Sequence, residues 1–404
     1  MSTPTAMRKL LDKITGHPLV SNPYTIAVLW GVMAVFAAIY KGRLDMHLNN
    51  FRIFRHVFFH LCGGLSLYAY YPEEYFDHNL YGPLFGVLVA PFAVLPPLAG
   101  LILWELAMSA LFWVVILRLP LLLKKRMFIY WFVSYELLVA LYMAQFNIAI
   151  CALVLASYCA IRNEKEEWAA CFIMLGTLTK LYGIVGLAFI VFSHRKWRFL
   201  GWLAVWFAIG LALPFVVGEP AYVLGQYNEW ILTLGDKNAL NADAFYQNIS
   251  TLGMVHKISG WWGSDLWLLV SAVVLFLLPS VRVSQYRYAG FQWALVASVL
   301  MCIVLFSTGS ESSGYIIALT GVALWYVTAP WQRSGLDLGL VVFVLVFASF
   351  GSDFLPHSVR YSLMWPYALK ALPVTLVWLK LIYEMCMRDY AALNEMPKNF
   401  GIDG

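Results

Sequence analysis

Apolar runs long enough to enter a lipid bilayer recur along this chain, at about 24–40, 98–118, 127–143, 147–161, 167–180, 183–193, 198–217, 265–280, 289–307, 314–329, 336–352 and 363–384. A straight span needs roughly 20 apolar residues, and several of these runs are shorter. Hydrophobic residues make up 62% of the chain and charged residues 12%, against about 25% charge in a soluble domain. No globular core could absorb that much apolar sequence, so the bilayer must be the solvent. The expectation is an all-α integral membrane protein with about twelve transmembrane helices in one polytopic domain, 1–404.

Basic residues orient the runs. Arg8, Lys9 and Lys13 place the N-terminus in the cytoplasm, because short cytoplasmic segments are rich in Lys and Arg. Lys124, Lys125 and Arg126, then Arg162 with Lys165, Arg195 with Lys196 and Arg198, Arg282 with Arg287, Arg333 and Arg388 all fall on the same side only if the apolar stretch 82–96 does not cross. That stretch, closed by Leu95, Pro96 and Pro97, therefore reads as a re-entrant or surface-lying helix. Both termini are then cytoplasmic in an inner (cytoplasmic) membrane. Two long segments, 41–81 and 218–263, face the outside, with short outer turns at 145–147, Lys180, 307–314 and 351–361.

The net charge of +5 is spread over short loops with no basic stripe, so no nucleic-acid partner is implied. The six cysteines form no CxxC pair and read as small buried residues rather than metal ligands or disulfides. The first apolar run lacks a small-residue cleavage site and reads as a retained helix, not a signal peptide.

Within the outer segments, 50–61 (NFRIFRHVFFHL) repeats Phe51, Phe54, Val57, Phe58 and Leu61 at three-to-four spacing, as an amphipathic surface helix does. A second such helix is expected at 222–232. Asp45, Asn49 and Asn50 follow the first run. A carboxylate there can act as a general base toward a sugar hydroxyl, whereas Asn50 also suits a helix N-cap. His56 and His60 are four apart, but no zinc-peptidase pattern accompanies them, and no metal site is expected. Glu74, Tyr75, Asp77, His78 and Tyr81 mix acids with aromatic rings, as carbohydrate sites do. Gln145 and Asn147 offer amides to sugar or phosphate oxygens. Lys180 interrupts an apolar run, a costly place for a charge, and a phosphate is a natural partner for it. The segment 218–263 adds Tyr227, Lys237, Gln247, Asn248 and His256. Glu311 stands at the start of a run, where it can cap the helix or meet substrate. Glu105 and Glu136 are the acids placed within runs, each either buried against a partner or neutral in lipid.

The order of these pieces resembles the polytopic GT-C glycosyltransferases, specifically family 87, polyprenyl-phosphate-sugar-dependent mannosyl- and arabinofuranosyl-type transferases. The matching pieces are the patch at 45–54, Tyr81-Gly82-Pro83 leading into LFGVLVAPFAVLPP, Trp104, AQFN at 144–147, LTKLYG around Lys180, YNEW at 227–230 and YQNIS at 246–250. The resemblance implies a GT-C-like helix bundle with two extracytoplasmic amphipathic-helix loops. It implies a polyprenyl-phosphate sugar as donor substrate, no cofactor, metal-independent chemistry with inversion, and a lipid or glycan acceptor in cell-envelope glycan biosynthesis. Asp45, Asn50 and Asp77 are then the catalytic candidates. Lys180, Lys237 and His256 would hold the donor phosphate. Asn49, Glu74, Tyr75, His78, Tyr81, Gln145, Asn147, Tyr227, Gln247, Asn248 and Glu311 would bind substrate. The family's acid commonly stands four residues before a Tyr; here the residue four before Phe54 is Asn50, and an amide cannot be a general base. Asp45, Asp77 or Glu74 would take that role, or the enzyme would use a different base, or the protein would not be an active transferase. Two other classes fit the same composition: a transporter or flippase for a lipid-linked glycan, which would depend on Glu105 and Glu136, and a non-catalytic partner of a glycan-assembly complex.

Overall fold

The computed structural model describes residues 16–43, 49–242, 248–261, 264–352 and 354–391, and contains helices and no strands among them. Numbering the α-helices of nine or more residues in chain order, α1 is Pro23–Gly42, α2 Asn49–Gly63, α3 Pro83–Ala93, α4 Pro97–Leu117, α5 Leu123–Tyr142, α6 Asn147–Arg162 and α7 Glu166–Lys180. A 3₁₀ segment, Tyr182–Phe192, follows, then α8 Lys196–Ala212, α9 Pro220–Ala242, α10 Thr251–Ser259, α11 Leu266–Leu277, α12 Ala289–Leu305, α13 Tyr315–Thr328, α14 Gly335–Phe343 and α15 Ala371–Met387. Most helices follow the apolar runs, but the run 183–193 forms the 3₁₀ segment and α15 begins eight residues into the run 363–384. Three stretches, Pro23–Gly42, Pro97–Leu117 and Lys196–Val216, are long and apolar enough to cross a membrane on their own; the other apolar helices are shorter.

The shorter ones form the protein's interior. Almost every residue of α6, α12 and α13 is buried, with α12 packed on α13 and α13 on α5. In contrast, α8 buries only Phe199, Leu203 and Gly210. It packs along α7, and an apolar helix with so few buried residues presents the rest of its surface to lipid.

The expected amphipathic helix is present as α2, one residue longer at its start. Phe51, Phe54, Val57 and Leu61 are buried against α3, and Phe58 is partly buried. Asn50 therefore sits inside the first turn rather than at the N-cap. Arg55 reaches the C-terminal end of α3, donating from Nε to Ala93 O at 3.1 Å and from Nη2 to Leu95 O at 3.2 Å, where a cation meets the negative end of the helix dipole. The 11 residues of α3 extend about 16 Å, half the hydrocarbon thickness of about 30 Å.

The second expected surface helix is longer than its sequence signal, running 23 residues as α9. The segments 66–80 and 226–230 dock on each other. Leu67 N donates to Gln226 Oε1 at 2.6 Å, Ser66 Oγ to Glu229 Oε2 at 2.7 Å, and Trp230 Nε1 to Leu80 O at 3.0 Å. Of the cysteines, Cys151 and Cys159 are buried as expected, but Cys62 is exposed at the end of α2.

Candidate active site

One cavity of about 950 Å³ opens where α2, the turns after α5 and α7, α9 and the loop 307–314 meet. Each wall has a local cause. Helix α7 stops at Lys180 because Leu181 takes a left-handed φ of 49°. The chain then returns along α7, and a Cβ on Gly183 would fall on the backbone of Gly176 and Thr177. This glycine-permitted hairpin sets Lys180 at its tip. Helix α5 stops in the same way, with Ala144 at φ 48°, and its turn is pinned by Asn50 Nδ2 donating to Met143 O at 2.7 Å and Trp104 Nε1 to Ala144 O at 3.3 Å. That turn presents Gln145 and Asn147.

Tyr81 is fixed from several directions. Asn79, fully buried, accepts from Tyr81 N and donates to Tyr81 O, both at 3.0 Å. Tyr68 OH also donates to Tyr81 O at 2.9 Å, and the Tyr81 ring stacks on Phe85 at 4.3 Å. Gly82 N donates to Thr179 O at 3.0 Å, which ties this loop to the end of α7.

Lys180 is held by these neighbours. Its Nζ donates to Asn147 Oδ1 at 2.8 Å, Gln145 Oε1 at 3.4 Å and Tyr81 OH at 3.5 Å, and lies 5.3 and 5.5 Å from the Tyr81 and Tyr182 ring centres. Among the described residues no carboxylate lies within ion-pair distance of it. A desolvated ammonium oriented by neutral dipoles keeps its charge available to an anion, and in a low-dielectric cavity that charge acts strongly.

Two carboxylates share the cavity. Asp77 accepts from His78 N at 2.8 Å and pairs with Lys237 Nζ at 3.3 Å. Glu311 precedes the short turn Ser312–Gly314 and makes no capping hydrogen bond there, so its helix-cap reading does not hold. Burial pushes the Glu311 carboxyl above its ordinary 4.5; Lys180 and Lys237 pull against that and Asp77 adds to it. His78 lines the cavity with its Nδ1 3.2 Å from Tyr68 O. A second cavity of about 440 Å³ shares Tyr182, Asn238, Ser307 and Thr308 with the first, and its other walls, including Val185, Leu252, Leu269 and Phe306, are mostly apolar.

Asn50, Asp77, His78, Tyr81, Gln145, Asn147, Lys180, Lys237 and Glu311 thus converge. Asp45 and Gln247 lie outside the described residues. The remaining candidates are elsewhere. Asn49 Oδ1 accepts from Phe76 N at 2.7 Å. Glu74 turns to α2, with Oε2 2.9 Å from His60 Nε2 and 3.8 Å from His56 Nε2, and Tyr75 is buried beside the same two imidazoles. Tyr227 OH donates to Gly210 O and Leu211 O at 3.3 Å. Asn248 accepts from Ser250 Oγ at 2.6 Å. His256 pairs with Asp265 and stacks on Trp261. For Asn49, Glu74, Tyr227, Asn248 and His256 a neighbouring group meets the polar side chain expected to bind substrate, whereas the Tyr75 hydroxyl is buried with no hydrogen-bond partner among the described residues.

Residues 79–308 match the family model described as glycosyltransferase family 87. The chain belongs to glycosyltransferase family 87. Family membership and the apolar helices together make it a membrane glycosyltransferase. No curated protein matches the chain. The matched stretch carries Tyr81, Gln145, Asn147, Lys180 and Lys237, whereas Asn50 and Glu311 are cavity residues outside it.

Sequence reasoning missed Lys370, a cavity residue whose Nζ lies 3.3 Å from both carboxylate oxygens of Glu136. A lysine inside an apolar run was the available signal. The same contact answers the question left at Glu136, which is buried against a partner. Glu105 is also buried, and its Oε2 has no hydrogen-bond partner among the described residues.

Proposed function

We propose that this family 87 protein transfers a sugar from a polyprenyl-phosphate donor to a hydroxyl of a lipid- or glycan-borne acceptor, on the extracytoplasmic face of the cytoplasmic membrane. The observation carrying this reading is one cavity that holds Lys180, an ammonium oriented only by neutral acceptors, together with Glu311, a carboxylate without an ion-pair partner among the described residues. A leaving phosphate and an attacking hydroxyl need those two groups.

Glu311 is the general base in this scheme. It takes the acceptor's proton as the hydroxyl oxygen attacks the anomeric carbon, and its raised pKa makes it a stronger base than an ordinary carboxylate. The new C–O bond forms on the face opposite the breaking bond to phosphate, giving inversion. The bond pair leaves with the polyprenyl phosphate, whose growing charge Lys180 stabilises. Gln145, Asn147 and Tyr81 hold Lys180 in place. The pair formed by Asp77 and Lys237 offers both an acceptor and a donor to sugar hydroxyls. The apolar wall of the second cavity, at Val185, Leu252, Leu269, Ile303 and Phe306, suits a lipid chain. On the sidedness argument from basic loops, the chain crosses the membrane about twelve times with both termini cytoplasmic, and α3 lies without crossing beside the cavity.

The test uses purified protein in lipid nanodiscs with a panel of radiolabelled polyprenyl-phosphate sugars and a membrane-lipid extract. Wild type, Glu311→Gln, Asp77→Asn and Asp45→Asn are compared. Transfer by wild type that is lost in Glu311→Gln supports the scheme. Transfer that survives Glu311→Gln but is lost in one of the aspartate variants moves the base to that residue. Absence of transfer with every donor and acceptor, from folded protein, defeats the reading.

A further inference from the structure

The Glu311 loop rests on a buried ion pair that the reaction scheme does not use. The Lys370 side chain is 7% exposed and that of Glu136 fully buried. Besides the two 3.3 Å contacts to Glu136, Lys370 Nζ donates to Ser312 Oγ at 2.7 Å, lies 3.4 Å from Ser312 O, and sits 4.6 Å from the Tyr315 ring centre. An ammonium has three donors, and here the partners come from α5 and from the loop entering α13. The chain reaches Lys370 through Ala368, held at φ 50°, so a strained backbone precedes the residue.

Taking a lysine and a glutamate out of water costs free energy that their attraction often fails to recover. A pair of this kind is a weak source of stability, and its geometric consequence is the better guide to its role. That consequence is the fixing of Ser312, the residue next to Glu311. The turn is closed on the other side by Gly314 N donating to Glu311 O at 2.9 Å.

Resting on the reading of Glu311 as the base, we infer that Lys370, set by Glu136, is a positioning residue: it clamps Ser312 and thereby fixes where the Glu311 carboxylate stands in the cavity. Family membership does not assign this role, because the matched stretch ends at residue 308.

The test compares Lys370→Met, Lys370→Arg and the double replacement Lys370→Met with Glu136→Leu, all in nanodiscs. Thermal unfolding and steady-state kinetics are measured, with hydrogen exchange of the 311–315 amides. Lys370→Met removes the ammonium that faces the buried Glu136 carboxylate, so its Tm falls. The double variant replaces the pair by apolar groups and regains Tm. The inference expects kcat of the double variant to stay at least about tenfold below wild type, with KM for the donor within about threefold. It also expects the 311–315 amides to exchange about tenfold or more faster than in wild type. Lys370→Arg, which keeps the charge and donors, should recover part of kcat. A double variant with wild-type Tm, kcat and exchange overturns the inference, because the pair would then be structural only. A raised KM with unchanged kcat overturns it too, since Lys370 would then bind substrate directly. The exchange measurement is independent of transfer: slow exchange in the double variant defeats the clamp even if Glu311 is not the base, and fast exchange beside an unimpaired kcat places the failure in the reading of Glu311.

Discussion

Replacing Lys180 by Met removes the charge while keeping an unbranched side chain of similar length. In the proposed transfer the donor phosphate would carry one negative charge beforehand and approach two after its bond to the sugar breaks. A phosphate oxygen accepting from Lys180 would take the distance range that Nζ now has to Asn147 Oδ1, 2.8 Å, with its charge centre at about 4 Å. At an effective dielectric constant of about 20, one unit charge at about 4 Å interacts by about 4 kcal/mol. The full extra charge is present only in the product, and about half of it in the transition state gives about 2 kcal/mol. That lower figure corresponds to about 30-fold in kcat, and complete charge transfer to about 1000-fold. The ground-state charge contributes to KM instead. The assay is donor-saturated sugar transfer in nanodiscs, with unfolding measured in parallel, because the change also strips Asn147 and Gln145 of a donor. A folded Lys180→Met protein whose kcat is within about threefold of wild type refutes the reasoning, since Lys180 would then not face the charge that develops.

Three further outcomes follow from the geometry. Because burial raises the Glu311 pKa, kcat/KM should fall as pH drops through a value above the ordinary carboxylate 4.5, since the protonated acid cannot accept a proton; Glu311→Gln should leave at most a residual rate lacking that acid limb in a pH–rate profile. Gly82→Ala places a Cβ against Leu178 O and 2.9 Å from the Trp230 ring, so it should destabilise by about 1–3 kcal/mol, seen as a lower Tm, and reduce transfer by displacing Tyr81. With Cys62 replaced by Ser, a membrane-impermeant thiol reagent should label Asp236→Cys in intact cells and Lys196→Cys only after permeabilisation; the reverse pattern would invert the topology.

How much of this was legible in the sequence depended on how local each cause was. The surface helix α2 was readable because Phe51, Phe54, Val57 and Leu61 state their own period. Lys180 was readable because a charge breaking an apolar run has few bland explanations. Its hairpin was not, since that depends on Leu181 adopting a positive φ and on Gly183 lying against Gly176. Glu74 and Tyr75 carried the right chemistry for a sugar site, yet the fold turns them toward His56 and His60, a pairing between segments that no spacing rule reveals. Lys370 was hidden for a similar reason: its partner Glu136 is 234 residues away in sequence, and no spacing rule joins the two. His256 looked available as a phosphate ligand until Asp265, nine residues on, was found paired with it.

The central claim is that the lipid-linked sugar occupies the cavity at Lys180. The most direct measurement is photo-crosslinking with a polyprenyl-phosphate sugar whose reactive group sits beside the phosphate, carried out in nanodiscs and mapped by peptide mass spectrometry. The account predicts labelling of cavity residues near Lys180, such as Leu181, Tyr182 and Ser307, that is abolished by excess unlabelled donor and weakened in Lys180→Met. Labelling scattered over the exposed faces of α1 and α8, with no competition by unlabelled donor, would contradict it.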